Sequence, residues 1–178
     1  MEIEKKFLLR RLPEELDRYP VRHMEQGYLC TDPVIRIRKS NDRYILTYKS
    51  RMGLEGQNDQ GVRVNQEVEV PLNQSGYEHL REKTDGNLIR KDRYIIPLPD
   101  GHTGELDIFH GVLEGLVFIE VEFADSWDAK DFVPPEWFGD NVSDDHRYSN
   151  SYLSTCKDLS VFSIGKAVSH KKMEAHYV

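Results

Sequence analysis

Glu2-Ile3-Glu4-Lys5-Lys6-Phe7-Leu8-Leu9 opens the chain, and its charged residues Glu2, Glu4 and Lys6 fall two apart. Successive strand side chains point to opposite faces, so Glu2, Glu4 and Lys6 share one face and Ile3 and Phe7 the other. The same spacing recurs in Arg36-Ile37-Arg38, Glu67-Val68-Glu69, Lys91-Asp92-Arg93, Glu105-Leu106-Asp107 and Glu120-Val121-Glu122. The interleaved residues are mostly Ile, Val and Leu. Several strands therefore present a charged face, acidic on some and basic on others.

Strands are expected at 2–9, 22–31, 34–40, 43–50, 62–71, 87–97, 104–110 and 116–123, each bounded by Gly, Pro, Asn or Asp. Asn41-Asp42 and Pro99-Asp100-Gly101 read as turns. Short helices are expected over 13–19 and 73–83, a helical turn over 134–138, and a helix capped by Ser143 or Asp144 running to Leu153. The polar stretch 51–61 reads as a loop. Eight strands with short connections predict a mainly β fold, an antiparallel barrel or strongly curved sheet. No repeat is apparent.

The chain has 178 residues, enough for one domain with a real core. Residues 1–158 are expected to form it, with 159–178 as a C-terminal tail. Lys and Arg number 24 and Asp and Glu 31, a net charge of −7, which argues against a nucleic-acid or anionic-membrane binder. Cys30 and Cys156 make neither a disulfide framework nor a zinc site. No run approaches the roughly 18 apolar residues of a membrane span. The charged N-terminus is no signal peptide, and a cytoplasmic location is expected. The seven histidines show no ligand spacing. Trp127 and Trp137 are expected to cap the barrel. Whether the chain is a monomer or a homodimer is left open.

If the sheet closes, the charged faces either cover the outside or line the lumen. An exposed face mixes Thr, Ser, Lys, Glu and Gln. Here acidic and basic pairs segregate by strand, which carries a cost: two carboxylates about 7 Å apart repel by roughly 2–2.5 kcal/mol at an effective dielectric of about 20. A lumen shared by carboxylates, cations and divalent metals offsets that repulsion. Carboxylate oxygens with no His or Cys beside them favour Mg²⁺ or Mn²⁺. Clustered Arg and Lys bind phosphate oxygens. Together they describe a phosphoryl-transfer site.

With these residues in view, the chain resembles the CYTH domain, the triphosphate tunnel metalloenzyme family, small bacterial type. The resemblance rests on Glu2, Glu4 and Lys6 as Glu-x-Glu-x-Lys, then Gln26-Gly27-Tyr28, Arg36-Ile37-Arg38, Thr47-Tyr48-Lys49, Glu67-Val68-Glu69, Arg90-Lys91-Asp92-Arg93-Tyr94, Glu105-Leu106-Asp107, Ile119-Glu120-Val121-Glu122-Phe123 and Arg147-Tyr148-Ser149-Asn150, in that order. It covers about residues 2–155. It implies a closed eight-stranded antiparallel tunnel with a C-terminal plug helix, holding a linear triphosphate with Mg²⁺ or Mn²⁺. Glu2, Glu4, Glu120 and Glu122 would ligate metal, with Asp107 a further ligand or a support behind them. Lys6, Arg36, Arg38, Lys49, Lys91 and Arg93 would grip phosphates, and Arg147 would sit on the plug helix. Tyr28 would accept a proton, with Lys49 lowering its pKa. Its alternative is wall packing, with Glu122 as the rival base. His146 stands where relatives often carry a second basic residue, and Glu67 and Glu69 receive no role. The expected activity is metal-dependent hydrolysis of inorganic tripolyphosphate. Adenylate cyclase, nucleoside or thiamine triphosphatase, and a non-catalytic polyphosphate-binding module are the alternatives.

Overall fold

The computed structural model describes residues 1–54 and 63–162. Eight strands alternate around a closed antiparallel barrel: β1 (Glu2–Leu9), β2 (Val21–Thr31), β3 (Val34–Ser40), β4 (Arg43–Ser50), β5 (Arg63–Leu72), β6 (Asp85–Pro97), β7 (Thr103–Phe109) and β8 (Val117–Glu122). The order runs β5-β4-β3-β2-β6-β7-β8-β1, and β1 closes the ring by pairing with β5. At that closure Glu2 faces Asn65 and Ile3 faces Val64. All eight expected strands lie within a few residues of their predicted limits. Residue 62 and the loop residues 55–61 fall outside the described residues.

Turn chemistry matches the sequence. Ser40 pairs with Arg43 across a two-residue connection, and Asn41 takes φ 50°, a left-handed conformation that Asn tolerates. Helix α1 (Gln74–Arg81) starts where Asn73 accepts a hydrogen bond from the Gly76 N–H at 2.7 Å. It lies on the outer wall, tied to β2 where Arg81 and Tyr77 donate to Glu25 at 2.7 and 3.0 Å.

Apolar residues form two clusters. One lies outside the barrel wall, where Ile3, Phe7 and Leu9 of β1 and Val121 and Phe123 pack with Phe132 and Phe138. Helix α2 (Ser126–Asp131) and a ninth strand, β9 (Phe138–Asn141), cover it. The second cluster continues the inward face of the strands: Leu8, Ile89, Phe109 and Phe118 meet Tyr148, Leu153 and Phe162 from the C-terminal segment. These side chains floor the lumen at one end. Deleting a buried Phe or Leu side chain typically costs about 2–5 kcal/mol, so the floor anchors the fold as well as closing the tunnel.

Three expectations are corrected. The turn predicted at 134–138 leads into β9, which hydrogen-bonds along the far end of β1. The helix expected from residue 143 or 144 to 153 is broken into a 3₁₀ turn (His146–Tyr148) and a four-residue helix, α3 (Asn150–Leu153). Asp145 accepts from the Arg147 N–H and Ser149 from the Tyr152 N–H, so side chains replace the helical ladder twice in five residues. Past the expected boundary at 158/159, Phe162 is buried against Tyr148 with ring centroids 4.7 Å apart. Trp127 is exposed and only Trp137 packs on the outer cluster. Residues 163–178 fall outside the described residues. Among the described residues no helix is long and apolar enough to cross a membrane.

Candidate active site

Strand alternation brings charged residues of six strands, both members of the pair on four of them, into one cavity of about 1000 Å³ bordered by the β3–β4 and β6–β7 turns. The β1–β8 register orders them. Lys6 faces Glu120, and one step toward the mouth Glu4 faces Glu122. Lys6 Nζ donates to the Tyr148 carbonyl at 2.8 Å, stands 3.6 Å from Glu120 Oε1 and lies over the Phe118 ring. Nearer the mouth, Glu2 pairs with Lys49 at 2.6 Å. On the facing wall, Arg36 Nη2 bonds Thr47 at 3.2 Å and stands 4.0 Å from Glu67. Arg38 reaches Glu69 at 3.4 Å. Glu67, Glu69 and Glu105, unassigned from sequence, all line the cavity, as do Ser149, Asn150 and Ser151 of the plug.

Lys91 and Asp107 stand behind this surface. Asp107 is fully buried, and Arg93 grips it with two bonds of 2.7 Å while Lys91 holds it at 2.7 Å. Both its oxygens are occupied and it does not line the cavity. Asp107 thus lies behind the cavity surface, with both oxygens taken by Arg93 and Lys91. Lys91 spends its ammonium on Asp107 and on Asn150 Oδ1 at 3.2 Å. Only Arg93 of that strand's pair reaches the cavity, where it also binds Glu105 and stands 3.7 Å from Glu120.

Two more of the expected site residues have surroundings of their own. Arg147 does not face the tunnel: its guanidinium pairs with Asp145 and donates to the Val161 carbonyl. His146 beside it packs edge-on against Tyr152. Tyr28 lines the cavity but is almost completely buried. Burial raises its pKa above the ordinary phenol value, and Arg36, Lys49 and Arg38 only partly reverse this. Cation proximity was legible in the sequence. The depth of burial, which decides the sign, was not.

The carboxylates divide by environment. Burial would raise Glu120, yet Lys6, Arg93 and Lys91 hold it well below the usual carboxylate range. Burial pushes Glu4 up to about 7, with Glu120 and Glu2 adding to the effect and Lys49 opposing it. Glu2 and Glu122 are raised as well, first by burial and then by neighbouring carboxylates. Such a group of hard oxygens, short of positive charge, is chemically suited to a divalent cation. Among the described residues, no three metal-binding side chains stand close enough together to hold an ion as they are. Coordination would require Glu2 to leave Lys49.

An antiparallel barrel closed at one end, with carboxylates and cations in register along its lumen, is the architecture of the triphosphate tunnel fold. No family model matches the chain. It is 40% identical over 157 residues to an inorganic triphosphatase of Nitrosomonas europaea, covering 86% of this chain and 96% of that protein. It is 36% identical over 132 residues to an inorganic triphosphatase of Acetivibrio thermocellus, covering 72% and 77%. A crystal structure of an inorganic triphosphatase superposes with a TM-score of 0.63 at 36% identity, covering 88% and 95%. A Pyrococcus horikoshii protein at 24% identity and a TM-score of 0.52, covering 73% and 84%, shares the fold. The chain belongs to the inorganic triphosphatase family.

Proposed function

We propose that this chain is a CYTH-type, divalent-metal-dependent triphosphatase that hydrolyses inorganic tripolyphosphate to diphosphate and orthophosphate. One observation carries the reading: across the β1–β8 seam a cation–acid pair, Lys6 and Glu120, lies beside an acid–acid pair, Glu4 and Glu122, in one cavity. The first suits a phosphate and the second a metal. Glu2, Glu4, Glu120 and Glu122 would hold Mg²⁺ or Mn²⁺, once Glu120 is drawn from its cations. When bound, the metal would neutralise phosphate oxygens and acidify the attacking water.

The chain's own residues supply the rest. Lys6, Arg36, Arg38, Lys49 and Arg93 hold the linear anion along the lumen. Water attacks the terminal phosphorus, a new O–P bond forms, and the bridging P–O bond breaks with its electrons leaving on diphosphate. Glu122, its pKa raised by burial and by the neighbouring Glu2 and Glu105, takes the proton of that water. Tyr28, its pKa raised, serves as a neutral hydroxyl beside Arg36. Asp107 and Lys91 hold Arg93 and Asn150 in place. Among the described residues, the cavity lining holds no pair of aromatic rings that could sandwich a nucleobase, and it is mainly charged. Both features favour an inorganic chain over a nucleotide. Incubating the protein with tripolyphosphate, ATP and thiamine triphosphate, with Mg²⁺ or Mn²⁺, tests this. Tripolyphosphate should be cleaved with the highest kcat/KM. A preference for ATP, or cyclic AMP as product, would overturn it.

A further inference from the structure

Gln26 is fully buried, and neither atom of its carboxamide has a hydrogen-bond partner among the described residues. Leaving a buried amide unsatisfied is costly, and native interiors rarely tolerate it. The residue sits on the inward face of β2 between Met24 and Tyr28, both of which line the cavity. Directly across the β2–β3 ladder stands Arg38, and Tyr28 stands across from Arg36. The Nε atoms of Arg36 and Arg38 are likewise buried without an acceptor. Two guanidinium N–H groups and one amide donor thus gather on adjacent strands, and none has an acceptor among the described residues.

The backbone here is irregular on both sides. The pairing of β2 with β6 shifts register between Gln26 and Tyr28, and that with β3 shifts between Tyr28 and Cys30. Such bulges re-aim side chains and are frequent beside active sites. Gly27 is required between them: a Cβ there would stand 2.8 Å from Thr84 and 2.9 Å from Leu88 on the outer side. The segment is therefore held close from outside while Gln26 and Tyr28 face inward.

We propose that Gln26 is a substrate-contacting residue whose carboxamide completes, with Arg36 and Arg38, a seat for one phosphoryl group. Phosphate oxygens are the acceptors that all three donors lack. The carboxamide oxygen is then left to accept from water accompanying the anion. Gln26 lies one layer behind the cavity surface, so the seat forms as Arg38 shifts. Its contact to the partly exposed Glu69 is long, at 3.4 Å, and yields readily. This inference rests on the triphosphatase reading above and adds a residue to it.

The test uses Gln26→Met, which keeps the volume and removes both polar atoms. Its midpoint of thermal unfolding should equal or exceed that of the wild type. Its kcat/KM for tripolyphosphate should fall roughly 10- to 100-fold, the range for losing a hydrogen bond to a charged group. In EDTA, where turnover stops, tripolyphosphate should raise the unfolding midpoint of the wild type more than that of the variant. Gln26→Asn, which withdraws the amide by one methylene, gives a second reading if the first variant folds poorly. A folded Gln26→Met with unchanged kcat/KM and an unchanged ligand-induced shift overturns the proposal, as does a large loss of stability with activity retained. Absence of hydrolysis by the wild type would instead overturn the triphosphatase reading, and the shift measured in EDTA would still decide the role of Gln26.

Discussion

Glu4 lies directly opposite Glu122 across the seam where β1 meets β8, and both side chains enter the same cavity. Burial holds the Glu4 carboxyl up at about 7 from an ordinary 4.5. A folded-state pKa raised above the unfolded one favours the protonated native state. The stability it contributes is present below the ordinary value and is lost as pH rises through about 7. In EDTA, denaturant unfolding should therefore show the wild type losing up to about 3 kcal/mol relative to Glu4→Gln between pH 4.5 and 8. Parallel curves for the two proteins would show that Glu4 titrates normally.

Arg36 stands beside Tyr28, bonds Thr47 at 3.2 Å and lies 4.0 Å from Glu67. From that position it can meet charge that develops on the transferring phosphoryl group. Arg36→Ala should lower kcat/KM for tripolyphosphate by about 10²–10³-fold, the range for removing one well-placed oxyanion donor. An unchanged kcat/KM would remove Arg36 from the site.

Asp107 is the fixed point of the buried network, gripped by Arg93 and Lys91. Asp107→Ala leaves two cations without their partner, and breaking a buried pair on one side costs about 3–5 kcal/mol. The loss should appear as a lower urea midpoint at unchanged slope. Activity should fall too, because Arg93 loses its anchor. A variant as stable as the wild type would contradict the role given to Asp107.

Tyr28, with its pKa raised by burial, is not the proton acceptor in this account. Tyr28→Phe should leave the shape of the pH–rate profile intact and lower kcat by less than the roughly 10²–10⁴-fold typical of losing a general base. Glu122→Gln should show the larger loss and flatten the profile. A collapse of the profile in Tyr28→Phe would restore the tyrosine to that role.

The closed barrel and its charged lumen were legible because period-two alternation with Ile, Val and Leu between the charges fixes which face each charge takes. The pairing of β1 with β8 follows from closure. Strand β9 was not legible: Phe138-Gly139-Asp140-Asn141 has poor strand formers, and its pairing with β1 supplies what propensity lacks. The break in the plug helix lay in Asp145 and Ser149, whose capping bonds interrupt the helix expected to run on from Ser143 or Asp144. Alternation alone also cannot give depth. Lys91 and Arg93 share a face, yet the lysine ends beside the apolar floor, over the Phe109 ring, and only the arginine reaches the cavity. Gln26 carried no charge to draw notice, and its burial without a partner is visible only in three dimensions.

The central claim is that the lumen carboxylates serve a metal that assists triphosphate cleavage. The most direct measurement is phosphate release from tripolyphosphate by the wild type and by Glu4→Gln, with Mg²⁺, with Mn²⁺ and in EDTA. The wild type should release orthophosphate and diphosphate in equal amounts with either metal and neither in EDTA, and Glu4→Gln should need far more metal or fail. Equal turnover in EDTA, or a Glu4→Gln variant with an unchanged metal requirement, would contradict it.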